Sequence, residues 1–364
     1  MQFLKYLLLP FAFLYGVGVS IRNALFDFQI LKSQSFDVPI IGIGNLSTGG
    51  TGKTPMAEYI LQLLLKNGYR PAMLSRGYNR QSKGYLEVKS ELNASLCGDE
   101  PYQVKSKIPG VFVAVCEDRV SGIKTILKDN PEINVIVLDD SFQHRYVKPG
   151  FNILLTDYSK PYYKDFLMPA GMLREPVSGR KRADVIVVTK WPGNINADQK
   201  DEIKQKLEPM SGQEVFYTGI SYQSLVNTGP TTEQNQTLSV ENLAGYKVLL
   251  FSGIANTKPL ELYLKSHGIE LILIKFHDHH YFTDEDAKRI LSVWHGITNT
   301  KKLLLTSEKD WRRLEGTSVA GLISNQPLYY LPIEMLWEPA ENLIFNGKIL
   351  EYVKSNQRRS WIHP

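Results

Sequence analysis

The sequence predicts an α/β protein with a parallel sheet domain, a second and smaller α/β domain, and an apolar N-terminal helix. Residues 38–190 alternate short β-branched runs with helical stretches, which is typical of a parallel sheet covered on both faces. A second α/β pattern begins at Lys247, after a polar stretch. The 364 residues suffice for two domains. We therefore expect three units, at residues 1–28, 29–225 and 226–364.

The elements follow from apolar runs and from turn residues between them. In the first domain we predict strands at 40–44, 71–75, 111–114, 135–138, 151–156 and 185–189, and helices at 55–67, 100–106 and 119–129. Residues 192–236 are rich in Asn, Gln, Gly and Thr, which predicts the end of one domain and a connection. In the second domain we predict strands at 247–253, 270–276 and 302–306 and a helix at 284–294.

The N-terminal residues 6–21 carry no charge, with Lys5 before them and Arg22 after them. As a helix this run would reach about 24 Å at 1.5 Å per residue, short of the ~30 Å hydrocarbon core of a bilayer. We favour a helix that lies in the membrane surface, which makes that surface a predicted partner. A helix packed on the protein's own core and a cleaved signal peptide, with small residues at 16–20, are the alternatives.

The composition indicates an ordinary globular protein, with 43% hydrophobic and 22% charged residues. A net charge of +5 favours an acidic substrate or an anionic membrane surface, but it is too small to indicate nucleic-acid binding. Cys97 and Cys116 are too few for a disulfide framework and lack the spacing of zinc ligands. They predict reduced, buried thiols in a cytosolic compartment.

A glycine-rich turn between a predicted strand and a predicted helix indicates a phosphate-binding loop. Its glycines let successive backbone N–H groups point inward, and the helix directs its positive N-terminal end to the same place. Lys53 adds a positive charge, and the Thr54 hydroxyl is suited to bind magnesium. The predicted nucleotide-binding residues are Ser47, Thr48, Gly49, Gly50, Thr51, Gly52, Lys53 and Thr54. The first domain is therefore predicted to be P-loop NTPase-like, with ATP and Mg²⁺ as ligands.

A second element of the same site is predicted at residues 135–140, where four apolar residues precede Asp139 and Asp140. A buried strand that ends in acids beside a phosphate loop suits a magnesium ion, held directly or through water. Asp139 is the first choice, although the doubled acid leaves the assignment open. One alternative is an ordinary turn with a chance Gly-Lys-Thr, because Ser47 stands where the general P-loop pattern has glycine.

Three further clusters each allow a structural and a chemical interpretation. Asp99 precedes Pro101 at a predicted helix start, so it is either a helix cap or a reactive acid. Residues 276–280 hold three histidines without a second His/Cys pair, which disfavours zinc. They form either an acid–histidine dyad that removes a proton from a hydroxyl or a surface loop. Arg174 and the basic run 179–182 form either an anion clamp or a solvated loop.

Seven motifs occur in one order along the chain: residues 44–55, Leu74-Ser-Arg-Gly-Tyr78, Gly98-Asp-Glu-Pro101, Leu138-Asp-Asp-Ser-Phe-Gln-His144, Leu173-Arg-Glu-Pro176, Asp278-His279 and Ser307-Glu-Lys-Asp310. Together they resemble the tetraacyldisaccharide 4′-kinase family of lipid A biosynthesis, from the N-terminal helix to about residue 340. Ser47 agrees with this family, which has Ser or Thr there. Ser141 departs from the expected glycine, and as a small residue we expect it to be tolerated.

The resemblance implies an ATP-dependent lipid kinase that phosphorylates the 4′-hydroxyl of a tetraacyldisaccharide 1-phosphate to give lipid IVA. It implies a peripheral or monotopic protein on the cytoplasmic face of the bacterial inner membrane. By this likeness Asp99 is the catalytic acid–base residue, assisted by His279. The implied metal-site residues are Thr54, Asp139, Asp140 and Glu175. The residues implied to line the active site or contact substrate are Arg76, Arg119, Gln143, His144 and Arg174. We expect no nucleic acid and no obligate protein partner.

Two other classes of protein share some of these features. One is a P-loop NTPase switch or another small-molecule kinase tethered to the membrane. A GTPase would need an acid at the end of the run 188–192, where this chain has Pro192. The other is a membrane-tethered binding module with a decayed site, which the intact Lys53, Thr54 and Asp139 disfavour.

Overall fold

The computed structural model describes residues 2–193, 196–229 and 237–357. The strands are β1 (Ile40–Asn45), β2 (Pro71–Ser75), β3 (Leu86–Glu87), β4 (Phe112–Val115), β5 (Val135–Leu138), β6 (Phe151–Asp157), β7 (Val185–Thr189), β8 (Glu214–Tyr222), β9 (Leu225–Asn227), β10 (Thr237–Leu238), β11 (Lys247–Ser252), β12 (Glu270–Lys275), β13 (Lys302–Ser307), β14 (Leu328–Leu331) and β15 (Ile333–Trp337). The helices are α1 (Gln2–Asp27), α2 (Lys53–Lys66), α3 (Ala94–Cys97), α4 (Asp99–Lys107), α5 (Arg119–Asp129), α6 (Ala197–Leu207), α7 (Lys258–Ser266), α8 (Asp284–His295), α9 (Glu308–Leu314), α10 (Ser318–Ile323) and α11 (Pro339–Ser355). The predicted α/β class, with an apolar N-terminal helix, is confirmed.

Within the described ranges, the larger sheet has the strand order β15-β8-β7-β6-β1-β5-β2-β4-β3. Its central strands are parallel, and only the edge strands β15 and β3 pair in the antiparallel sense. Strand β1 lies between β5 and β6, so the loops that follow β1 and β5 leave the sheet side by side. In a parallel sheet this carboxyl edge is where ligands bind.

Both faces of the larger sheet are covered, as the apolar strands require. Val135 and Val137 of β5 face a core that includes α2, α4 and α11, whereas Ile136 and Leu138 face a core that includes α5. This alternation is the two-residue period of a strand with each face buried. Most predicted strands and helices of this domain agree with the structure to within two residues.

The predicted connection 192–236 lies partly outside the described residues, and its described parts, 192–193 and 196–229, are more structured than the polar composition predicts. Helix α6 begins with a capping box between Asn196 and Gln199. Among the residues of this helix, all of which the structure describes, only Leu207 is buried. Strand β8 extends the larger sheet by pairing with β7. A helix that is exposed on most sides lacks the apolar stripe from which it would be recognised, because its polar residues face water. The prediction of a simple connection was therefore wrong for α6 and β8.

The smaller sheet has the strand order β10-β9-β14-β13-β11-β12 in the described residues. The pairs β8–β15 and β9–β14 are both antiparallel and follow one another directly along the chain. A two-stranded ribbon therefore runs from one sheet into the other. The predicted unit 226–364 includes β15 and α11, which nevertheless pack on the larger sheet. The C-terminal part of the described chain thus returns to the first domain, which its local sequence does not reveal.

Helix α1 is longer than the uncharged run that predicted it. Its segment Tyr6–Asp27 has a mean hydropathy of 1.4, and only 11% of this apolar stretch is buried. By length and composition alone this is the one described helix suited to cross a membrane. Apolar side chains point outward along it, and a few inward residues such as Ala12 and Phe26 contact the body. This exposure disagrees with a helix packed on the protein's own core.

We predict that Phe345→Ala lowers the free energy of unfolding by about 3–5 kcal/mol. Phe345 is fully buried and stacks on Trp337, with Phe216 edge-on, so its loss leaves a cavity where α11 joins the larger sheet. The measurement is denaturant unfolding followed by far-UV circular dichroism. Leu343→Ala on the same helix is the control, because Leu343 is 76% exposed, and we expect a change within about 0.5 kcal/mol. Equal effects of the two changes would contradict the packing of α11 described above.

Candidate active site

The predicted phosphate loop joins the centre of the larger sheet to α2. Gly49 and Gly52 have φ angles of 99° and 86°, a left-handed conformation that glycine adopts without strain. Helix α2 begins directly afterwards at Lys53, so its unpaired N–H groups face the inside of the loop. Inside the turn, the buried Asn45 amide donates to the Thr51 hydroxyl at 2.8 Å. The loop is therefore preformed for a phosphate chain.

The rim of the loop is held from two sides. Ser47 and Thr48 pair with the backbone at 172–173, and Thr48 N–H donates to a carbonyl there at 2.8 Å. On the other side the Lys190 ammonium donates to the Gly50 carbonyl. These contacts fix the rim of the turn from both sides.

Charged groups meet immediately beside the loop. The Lys53 ammonium lies 3.7 Å from Asp140 and 3.5 Å from the Asn45 side-chain oxygen. Arg174 donates to both carboxylate oxygens of Asp140, at 2.7 and 3.0 Å. Although burial opposes it, the positive charges of Lys53 and Arg174 lower the pKa of Asp140 to about 2. Asp140 is therefore ionised at neutral pH and pairs with the two cations beside the loop.

Asp139 differs from its neighbour in having a carboxylate oxygen to spare. It is 4% exposed, and one oxygen accepts a hydrogen bond from Ser75 at 3.3 Å. The other oxygen is buried and has no hydrogen-bond partner among the described residues. Burial, with the adjacent charge of Asp140, raises the pKa of Asp139 to about 6. A buried, unpartnered oxygen of this kind fits a hard cation such as Mg²⁺.

Glu175 is buried beside the loop, but both of its oxygens are already engaged. One accepts from Gln143 at 2.7 Å, and the other accepts from Arg182 at 2.7 Å and from Asn23 at 3.4 Å. Gln143 also donates to the backbone carbonyl of Asn45 at 2.8 Å. Of the acids implied for the metal site, the geometry favours Asp139 as a direct ligand. Glu175 instead holds the neighbouring loops in place through its hydrogen bonds.

The structure brings Asp99 and His279 together, although 180 residues separate them in sequence. Asp99 Oδ2 and His279 Nδ1 lie 3.1 Å apart. The N-cap of α4 is Gly98, which has no side chain that could accept a hydrogen bond from the first turn. Asp99 is the first helical residue. Its carboxylate therefore faces the histidine instead of capping the helix. His279 has a left-handed φ of 56°, an uncommon conformation for a histidine and one often found at functional sites.

The charge on Asp99 is stabilised by its surroundings. Burial raises its pKa, but the hydrogen bond from His279 and the positive charges of Arg313 and Lys309 outweigh burial and lower it. Glu100 pairs with Lys309 at 2.7 Å, and its pKa is lowered in the same way against burial. At neutral pH both acids are therefore carboxylates, which is the state that accepts a proton.

Asp99, Glu100 and His279 also lie close enough together to hold one metal ion, and no other such group occurs among the described residues. The ammonium of Lys309 and the guanidinium of Arg313 already balance these carboxylates. This arrangement favours proton transfer over cation binding at this end of the site.

The remaining residues implied by the resemblance lie around the acids of β5. Arg119 is 3% exposed, and its Nε and Nη2 lack a partner within the described chain, while Nη1 donates to the Cys116 carbonyl at 2.7 Å. Burial lowers the pKa of Arg119 to about 10, so it stays cationic. Burial and the charges of Arg119 and Arg76 lower the pKa of His144 to about 4, so it is neutral. Arg76 is exposed and follows β2 directly. The buried guanidinium of Arg119, with its two unpartnered nitrogens, suits an anionic ligand.

Sequence reasoning missed the contributions of two other elements. Helix α9 brings Arg313 and Lys309 to Asp99 and Glu100, and the motif that ends at Asp310 was the only local signal of this helix. Helix α1 brings the Tyr15 hydroxyl to the Arg174 carbonyl at 2.7 Å. On the same helix, the guanidinium of Arg22 donates to the Gln143 carbonyl at 3.0 Å. The N-terminal helix is therefore part of the wall of the site as well as an apolar surface.

A phosphate loop on a parallel sheet, with a lysine, a buried acid and a carboxylate–imidazole pair beside it, defines a P-loop phosphotransferase. The family model for LpxK, tetraacyldisaccharide-1-P 4′-kinase, matches residues 4–350. The chain belongs to this family.

Named relatives agree with the family match. The tetraacyldisaccharide 4′-kinase of Flavobacterium johnsoniae is 44% identical over 98% of this chain and 99% of its own. That of Bacteroides thetaiotaomicron is 40% identical over 97% of this chain and 94% of its own. The crystal structure of LpxK from Aquifex aeolicus in complex with ATP superposes with a TM-score of 0.73 at 31% identity, covering 96% of this chain and 99% of that one. The resemblance drawn from the seven motifs is thereby confirmed.

We predict that Gly52→Ala destabilises the nucleotide-free protein by about 1–2 kcal/mol, because an alanine at a φ of 86° is strained. Gly50→Ala is the matched control. Gly50 lies outside the left-handed region, and no described atom lies within 4 Å of the Cβ it would gain. We expect its effect to stay within about 0.5 kcal/mol. The free energy of unfolding is measured for both, and equal values would show that the loop does not require the left-handed turn.

Proposed function

We infer that this protein is a tetraacyldisaccharide 4′-kinase, which transfers the γ-phosphoryl group of ATP to the 4′-hydroxyl of a tetraacyldisaccharide 1-phosphate and so forms lipid IVA. The observation that carries this function is the match of residues 4–350 to the kinase family, together with a phosphate loop and a carboxylate–imidazole pair. The lipid disaccharide and ATP are the substrates. The residue roles, the metal ion and the membrane face are proposals of ours.

Phosphoryl transfer depends mainly on positioning and on stabilisation of charge around the transferred group. The amides of residues 47–54 other than those of Thr48 and Thr51, which donate to backbone carbonyls, and the ammonium of Lys53 would hold the β- and γ-phosphates. Arg174, fixed by Asp140, and the free guanidinium edge of Arg119 supply further positive charge. When bound by Asp139 and the Thr54 hydroxyl, Mg²⁺ would neutralise the phosphate oxygens. Together these groups would compensate the negative charge that develops on the phosphoryl group.

Asp99 is proposed to accept the proton of the 4′-hydroxyl as that oxygen attacks the γ-phosphorus. Its lowered pKa keeps it ionised at neutral pH, and His279 at 3.1 Å orients the carboxylate. Asp99 starts α4 and Lys53 starts α2, and the charge of Glu100, next to Asp99, acts on Asp139 beside the phosphate loop, which supports one shared site for the base and the loop. The hydroxyl would enter between them. The bond between the γ-phosphorus and the bridging oxygen of ATP would break, so that ADP leaves as the second product beside the phosphate monoester.

We propose that α1 attaches the enzyme to the cytoplasmic face of the inner membrane, where ATP is present and the acyl chains stay in the bilayer. Its exposed side chains include Phe11, Phe13, Leu14 and Ile21. An apolar helix face of this kind lies in the headgroup region of a membrane. Because α1 also contacts Arg174 and Gln143, the helix would hold the active-site cleft close to the lipid surface.

We predict that Lys53→Ala lowers the rate of phosphoryl transfer by about 10²-fold or more, because a preorganised charge at the phosphates is lost. The assay follows labelled phosphate from ATP onto a lipid disaccharide 1-phosphate in detergent micelles. Lys66→Ala is the control, since Lys66 is an exposed residue at the other end of the same helix. Asp99→Ala in the same assay tests the base, and turnover near the wild-type value would show that Asp99 does not take the proton.

We predict that the double change Phe13→Glu and Leu14→Glu releases the protein from lipid vesicles. Both side chains are exposed, at 70% and 66%, and each buried apolar side chain contributes about 1.5–3 kcal/mol to membrane binding. Activity on detergent-dispersed substrate should persist, because Tyr15 still reaches the active site. Phe13→Leu is the control and should stay bound. Vesicle co-sedimentation of the double variant at the wild-type level would exclude α1 as the membrane contact.

A further inference from the structure

The side chain of Arg313 makes several hydrogen bonds around Asp99, but the proposed mechanism does not use it. Arg313 lies on α9 of the smaller domain and is 3% exposed at its side chain. Its Nε donates to Asp99 Oδ2 at 2.7 Å, and its Nη2 lies 3.2 Å from His279 Nδ1. One guanidinium therefore contacts both members of the dyad.

Arg313 is itself fixed from behind by the smaller domain. Its Nη1 donates to Asp310 Oδ1 at 2.9 Å, and Asp310 is fully buried. The other oxygen of Asp310 accepts from Ser252 at 2.5 Å and from the N–H of Gly253 at 3.0 Å. A buried arginine with this many charge-assisted hydrogen bonds has a defined position, because its planar fork cannot rotate without breaking several of them.

The same network holds the backbone that carries the histidine. The Gly253 carbonyl accepts from Arg313 Nη1 at 3.1 Å and from the N–H of His279 at 3.1 Å. His279 has a left-handed φ of 56°, which needs support from its surroundings. Asp310, Gly253 and Arg313 thus form one unit that places the imidazole.

We propose that Arg313 is a positioning residue that holds Asp99 as a carboxylate and aligns it with His279 when the two sheets are docked. This inference rests on the proposed function. Arg313 touches the base and its partner and acts through them, without a contact to the reacting phosphoryl group.

His279 Nδ1 lies 3.1 Å from Asp99 Oδ2 and 3.2 Å from Arg313 Nη2. A proton on Nδ1 is donated to Asp99 Oδ2, because a guanidinium can only donate and cannot accept it. Arg313 Nε donates to the same carboxylate oxygen at 2.7 Å, so both neighbours favour the ionised form of Asp99.

Several charged groups face Asp99 besides Arg313. Lys309 and His279 favour the ionised carboxylate, Glu100 opposes it, and the Cys97 thiol lies just before it in sequence. Loss of Arg313 therefore removes one of three favourable contacts and leaves the opposing charge of Glu100. The pKa of Asp99 should rise, and a higher pH is then needed to ionise the base.

The test compares R313Q with R312Q. Arg312 is the neighbouring buried arginine on α9, and it pairs with Glu315 at 2.9 Å, away from Asp99. We expect R313Q to lower kcat by about 10-fold or more, as for a disturbed general base. KM for ATP should change little, and the acid limb of the pH profile of kcat/KM should move to higher pH. R312Q should keep the wild-type acid limb, and R313K should recover part of kcat.

A second measurement does not depend on turnover. The pKa of Asp99 is read from its ¹³C carboxyl NMR signal, assigned by its absence in D99N. It should rise in R313Q and remain unchanged in R312Q. If R313Q does not fold, R313K is measured in its place, because its ammonium cannot donate to Asp99, Gly253 and Asp310 together.

The outcomes separate the two proposals. A wild-type enzyme that fails to phosphorylate the lipid disaccharide refutes the proposed function, whereas the NMR titration still decides the role of Arg313. An unchanged acid limb and an unchanged pKa of Asp99 in R313Q, with a loss of stability equal to that of R312Q, would show that Arg313 only stabilises the fold and would overturn the inference.

Discussion

Docking of α4 against α9 is the interaction on which the rest of this molecule depends. Asp99 and Glu100 at the start of α4 pair with Arg313 and Lys309, and Lys107 at its end pairs with Glu308 at 3.1 Å. These ion pairs are largely buried. A buried ion pair stabilises the protein only if its geometry is good enough to offset the free-energy cost of desolvating the two charges. Because Asp99 belongs to the larger domain and His279 to the smaller one, the Asp99–His279 pair exists only while the two domains are in contact.

The N-terminal helix builds the part of the site wall next to Arg174 and Gln143. Its outer side chains are apolar and exposed, whereas its inner face hydrogen-bonds the loops that carry Arg174 and Gln143. One element thus presents an apolar surface on its outer side and contacts the loops beside the phosphate loop on its inner side. The hydrogen bonds of the inner face explain why α1 has a defined position on the protein although little of its surface is buried.

Much of the fold was predictable because strands such as 135–138 and 185–189 are continuous apolar runs, and the phosphate loop has a local signature. Prediction failed where pairing is distant or a surface is polar. Strand β15 joins the larger sheet through β8, more than 100 residues earlier in the chain, and α6 shows almost no apolar stripe. Likewise Asp99 and His279 were each singled out, but Arg313, 214 residues from Asp99, has no local pattern that announces its partner.

The return of β15 to the larger sheet has a consequence for synthesis on the ribosome. Until residues 333–337 leave the exit tunnel, β8 presents an unpaired edge of backbone N–H and C=O groups. The first sheet therefore stays open while the entire second sheet is translated and folds. Completion of the nascent larger domain is thereby delayed to the last stage of chain elongation, and the newly made edge needs shielding from neighbouring chains until then.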